Sequence, residues 1–166
     1  MSKTPGTLTL MSSGEMSARL SAAHRAVMAR LHEPLRAIFL DTPAGFQENA
    51  DELGNKAVEY FNHNLQQALS VVSFKSRRFA SREQIQAVAD QIGAANYIFA
   101  GPGSPTYAVR NWIDSPIHAA FHAVLSEGRH LVLPARRRLP PAVTWCRCTS
   151  CTKPDTIRTG WPDWTC

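Results

Sequence analysis

Residues 96–107 read NYIFAGPGSPTY, and the reading of these twelve decides the fold. NYIFA, Asn96 to Ala100, is a short, largely apolar, β-prone run with no alternation, the pattern of a strand buried on both faces. Two glycines at alternate positions, Gly101 and Gly103, then allow a sharp turn and close backbone approach. Ser104 followed by Pro105 has the chemistry of a helix N-cap and first helical position. The stretch is therefore a strand running through a glycine turn into a helix, the unit from which parallel sheets are built.

The same alternation extends in both directions. TLTLM (Thr7 to Met11) is a strand ending at SSGE, and Leu20, Ala23, Val27 and Leu31 recur at helical spacing from Met16 to Leu31, with Pro34 as a stop. Ala37 to Leu40 gives a second strand, closed by DTPAGF. A helix is expected from Asn49 to Leu69, weakened by Gly54, and a third strand at Ser70 to Phe74. Ser81 and Gln84 form a capping box ahead of Ile85, Val88, Ala89 and Ile92, and Gly93 suits the C-terminal cap. Ser115 and Pro116 open another helix that ends at Gly128, and RHLVL is the fifth strand. Five strands alternating with helices predict an α/β fold, a mainly parallel sheet covered on both faces. Its strand-to-helix loops SSGE, DTPAGF and GPGSPTY should line one edge, where such sheets bind ligands.

Composition divides the chain near residue 133. Of 18 Lys and Arg and 13 Asp and Glu, residues 134–166 hold six basic and two acidic, leaving +1 of the net +5 for the first 133. All four cysteines and three of the four tryptophans also fall in those last 33 residues. Residues 1–133 read as a near-neutral α/β domain and 134–166 as a basic Cys/Pro/Trp-rich tail. No apolar run spans a membrane and no secretory leader is visible, so a cytoplasmic location is expected.

Several constellations have chemical meaning, each beside a structural alternative. Backbone N–H groups around Gly101, Gly103 and Ser104 could hold an anion or oxyanion, or the loop could be a tight turn with nothing bound. Asp41 places a carboxylate at the same edge, free to bind substrate or to tie its own loop together. Glu15, after Ser12, Ser13 and Gly14, is a weaker candidate of the same kind. His24, His32, His63, His118, His122 and His130 form no metal set; His118 and His122 are four apart on a helix but lack a third ligand. Cys146, Cys148, Cys151 and Cys166 do not form two paired knuckles, and Arg136 to Arg138 have no interleaved stacking residues. No metal, cofactor or nucleic-acid partner is expected, and oligomeric state is left open.

LTLMSSGEM, AIFLDTPAGFQENADEL and above all YIFAGPGSPTYAVRNW resemble the dipeptidase E and cyanophycinase branch of serine peptidases, within the class I glutamine amidotransferase-like superfamily. The resemblance covers about Thr7 to Leu133. It implies a flavodoxin-like three-layer sandwich, hydrolysis of small peptides or other small anionic substrates, and an oxyanion and substrate role for the loop of Gly101, Gly103 and Ser104. Asp41 and Glu15 stand beside it as substrate-binding candidates from their place at the same edge. It also implies a nucleophilic serine on a turn of small residues just after HLVL. Pro134-Ala135-Arg136-Arg137-Arg138 stand there instead, without serine. A GC-rich coding run for Leu133 to Arg138, read one base out of phase, spells Ala-Ser-Ala-Ala-Ala. The tail is therefore expected to be out of frame or disordered, the domain incomplete at its C-terminus, and the chain inactive as written. A non-catalytic module binding a small anion, or a zinc- or nucleic-acid-binding tail, are the alternatives.

Overall fold

The computed structural model describes residues 5–11, 14–31 and 34–134. Five parallel strands, β1 (Thr7–Met11), β2 (Ala37–Leu40), β3 (Leu69–Val72), β4 (Tyr97–Ala100) and β5 (His130–Pro134), lie in the order β1-β5-β4-β2-β3. The helices are α1 (Ser21–Met28), α2 (Ala50–Tyr60), α3 (Arg82–Ala94), α4 (Pro105–Trp112) and α5 (Pro116–Ser126). No described helix is long and apolar enough to cross a membrane.

The two faces of the sheet follow from strand alternation. Ala37, Phe39, Tyr97, Phe99 and Val132 point to one face, where α1 and α2 pack with Phe61 and Leu65. Ile38, Leu40, Ile98, Ala100 and Leu131 point to the other, against α3, α4 and α5. All four residues of β2 and of β4 are buried, which is why neither strand alternates in sequence. Chain direction and handedness agree with this layering. The steps β1 to β2 and β2 to β3 run one way along the sheet with helices on the first face. The steps β3 to β4 and β4 to β5 return with helices on the second, as right-handed crossovers require.

Boundaries depart from expectation at several places. The helix anticipated over Met16–Leu31 begins as a 3-10 turn at Ala18–Leu20 and ends at Met28. The long helix ends not near Leu69 but in a π turn, Phe61–Leu65, closed by Gln66 at φ 56. The wider turn keeps Phe61 and Leu65 both buried in the first core, and Arg25 donates to the Asn64 carbonyl there at 2.5 Å. β3 starts one residue earlier and ends two earlier than expected. Gly93 lies inside α3 rather than capping it; Ala95, extended at ψ 155, stops the helix. The capping box at Ser81 and Gln84 forms in both directions. Ser115 precedes α5 as expected but its hydroxyl donates to the Trp112 carbonyl instead of capping.

Among the described residues β1 and β3 form the two edges of the sheet. β1 carries Leu8 and Leu10 with 37% and 44% of their surface exposed, and β3 carries Val71 with 42% exposed.

Candidate functional site

Because every strand is parallel, the loops after β1, β2, β3 and β4 leave one edge of the sheet, where β5 also ends. The order of connections reverses between β2 and β4, so the switch-point crevice lies beyond Leu40 and Ala100. Asp41 and Gly101 begin the two loops that flank it. β5 ends between the loop after β1, which holds Glu15, and the loop after β4. The end of β5 at Pro134 is thus bracketed by two of the three loops singled out in the sequence.

The two crevice loops are in direct contact. Ser104 donates its N–H to the Pro43 carbonyl at 2.8 Å, and its hydroxyl accepts from Tyr107 N–H at 3.3 Å as the N-cap of α4. Gly101 donates its N–H to the Leu40 carbonyl at 3.0 Å, continuing the sheet ladder. A side chain at Gly101 would run into the Phe39 ring, with Phe39 Cε2 2.6 Å from the added carbon. At Gly103, φ is +150°, and an added carbon would sit 2.7 Å from Ala44 N and closer still to the Pro43 carbonyl. Both glycines are thereby required by packing against β2 and its loop. The Gly103 N–H donates to no described residue.

Asp41 is 2% exposed, and both of its oxygens are engaged. Oδ2 accepts from the Ser73 hydroxyl at 2.6 Å and Oδ1 from Phe74 N–H at 2.7 Å. The carboxylate therefore fastens the loop after β3 to the loop after β2. Thr42 reinforces the join, donating to the Phe74 carbonyl at 2.7 Å and accepting from the Trp112 indole at 3.1 Å. Tyr107 donates to the Lys75 carbonyl at 3.0 Å, and Asn111 accepts from Arg77 N–H at 2.7 Å. Ser73, Thr42, Tyr107, Asn111 and Trp112 were not foreseen. Thr42 beside Asp41 was the available hint, since adjacent short polar groups after a buried strand commonly bind loop backbone.

Glu15 lies apart from this mesh. It is 5% exposed, and its main-chain carbonyl accepts from His24 Nε2 at 2.8 Å. His24 is fully buried among Tyr60, Phe61, Tyr97 and Phe99, and its Nδ1 lies 2.6 Å from the Tyr97 hydroxyl. With Nε2 donating, Nδ1 accepts from Tyr97. Burial lowers the His24 pKa below 6.5, partly offset by the bond to Glu15, and burial raises that of Tyr97. His24 thus anchors the loop after β1 to the first core. His130, at the opposite end of β5, is also buried and lowered, by burial and by Arg30 nearby.

His118 and His122 do come together on the exposed side of α5, Nε2 to Nε2 at 3.3 Å. Among the described residues no group of three or more His, Cys, Asp or Glu is placed to hold a metal. The four cysteines, Arg136 to Arg138, Ser12, Ser13 and His32 lie outside the described residues.

Sheet order, crossover handedness and helix layering define an α/β fold of the flavodoxin-like, three-layer kind. A solved structure described as a peptidase from an acI-B1 Actinobacterium has this fold, with a TM-score of 0.68 and 18% identity over 81% of this chain and 55% of that one. The chain spans about half the length of that peptidase. No family model matches the sequence, and no curated protein is significantly similar.

Proposed function

We propose that this chain is the N-terminal scaffold of a serine peptidase-like hydrolase of the dipeptidase E and cyanophycinase kind, lacking its nucleophile and catalytically silent as written. The observation that carries the reading is where β5 ends. Pro134 closes it at the loop-bearing edge of the sheet, between β1 and β4, and the sequence from there runs Pro134-Ala135-Arg136-Arg137-Arg138. A covalent mechanism needs a hydroxyl or thiol on that turn, with a base to take its proton. None of the five residues can supply one. The peptidase-like fold of the solved neighbour supports the class of chemistry.

In this reading the Gly101–Ser104 loop faces the substrate, and the Gly103 N–H is the donor it has to offer an oxyanion. Asp41 acts by holding the edge together, so its contribution to a small peptide or anionic substrate is through loop position. Loss of the nucleophile removes the activated attack, and an oxyanion donor alone cannot replace it.

The test is intact-mass analysis of the purified chain after exposure to a serine-directed fluorophosphonate, alongside hydrolysis of acidic dipeptides. No adduct and no turnover are expected. A stoichiometric adduct on any serine of the folded chain would overturn the reading.

A further inference from the structure

The outer edge of β3 and the cleft next to it lie on the far side of the loop after β3, sharing Ser73, Phe74 and Lys75 with the mesh around Asp41. Among the described residues β3 is the last strand of the sheet and pairs only with β2. Phe74, two residues on, directs both main-chain groups inward, N–H to Asp41 and carbonyl to the Thr42 hydroxyl. Extended backbone alternates, so the main-chain groups of Ser73 and Val71 face outward. Neither donates to nor accepts from another described backbone across that edge. This edge strand has no proline, charge or bulge within Leu69–Val72 to discourage pairing.

Beside it lies a cleft of about 530 Å³ between the loop after β3 and the first half of α3. Phe74, Phe79, Ala80, Ala87 and Val88 give it a largely apolar lining. Phe79 is 81% exposed at its mouth, with the Arg78 guanidinium 5.5 Å from its ring centre. The surrounding charge is basic. Lys75, Arg77, Arg78 and Arg82 stand against Asp51, which pairs with Lys75 at 2.8 Å, and Glu83. Arg77 donates to the Ile113 carbonyl.

We propose that this edge and cleft are a docking site for an extended acidic peptide segment, which adds as a sixth strand on β3 and places one apolar side chain in the cleft. Main-chain bonds to Val71 and Ser73 supply affinity, the cleft selects an aliphatic or aromatic residue, and the basic rim selects acidic flanks. Charge decides against a second copy as occupant. Residues 69–78, LSVVSFKSRR, contain no acidic group to meet the rim of another molecule.

The inference does not rest on hydrolysis, and its test needs none. Fluorescence anisotropy would follow the full chain binding fluorescein-labelled Asp-Val-Leu-Val-Glu. Three comparisons accompany it: the peptide N-methylated at alternate amides, a version with lysine at both acidic positions, and the chain with Ala87→Trp. Ala87 is exposed on α3, so the indole would fill the cleft without entering the core. Saturable binding is expected, weakened at least about tenfold by each change, the scale of losing a main-chain bond or two. The N-methylated peptide leaves the protein untouched, so its result stands even if the variant unfolds. Absence of saturation up to about 1 mM, equal affinity for the N-methylated or lysine peptide, or a dimer by light scattering that Ala87→Trp dissociates would each overturn the proposal.

Discussion

Replacing Gly103 by alanine separates the packing role of the glycine loop from a purely ligand-facing one. The added methyl would lie 2.7 Å from Ala44 N and nearer to the Pro43 carbonyl, backbone atoms that cannot turn away as a side chain would. Overpacking of this kind costs about 1–3 kcal/mol. The backbone at φ +150° adds about 1–3 kcal/mol for any residue with a Cβ. Together they predict a loss of about 4 kcal/mol, a large part of the roughly 5–15 kcal/mol that holds a domain together. In urea unfolding at a slope of about 2 kcal/mol/M, the midpoint would fall by about 2 M. Gly93→Ala is the matched control. Gly93 sits inside α3 with nothing within 4 Å of an added carbon, so alanine there should stabilise by about 1 kcal/mol. If Gly103→Ala unfolds within about 1 kcal/mol of the parent, the close approach of the two loops is wrong.

Asp41→Ala strips the partner from a buried main-chain N–H at Phe74 and from the Ser73 hydroxyl, and should cost about 3 kcal/mol by the same measurement. His24 and His130 are both held below 6.5 in the folded chain, chiefly by burial, so the unfolded chain takes up protons first on acidification. Stability should be full above pH 6.5 and fall from there toward pH 5, ahead of the range where carboxylates titrate; a flat midpoint between those values would contradict it. Leu10→Lys, on the uncharged outer strand β1, should lower self-association in light scattering at matched concentration, and unchanged association would exclude that edge.

Strand identity was legible because β2 and β4 are buried on both sides and so read as unbroken apolar runs. The capping box was equally plain, since both of its partners lie three residues apart and need nothing from the rest of the fold. What local pattern could not reach depended on distant groups. The π turn at Phe61–Leu65 is set by burial against the first core, and α3 runs past Gly93 because that position is open and unstrained. At the edge, sequence supplied Asp41, Gly101, Gly103 and Ser104 but not their purposes. Asp41 is claimed by Ser73 and Phe74, 32 and 33 residues away, and Gly101 by the ring of Phe39. His24 gave no local sign of its tie to Tyr97, 73 residues on, because that contact exists only once α1 lies on the sheet.

The measurement that bears most directly on the central claim is the coding DNA read from codon 128 through the present stop. The account predicts that one inserted or deleted base restores a small-residue turn containing serine after β5, followed by a long open frame in place of the arginine- and cysteine-rich tail. A coding sequence that confirms Pro134 to Cys166 in the present frame, with no such turn in either other frame, would contradict it.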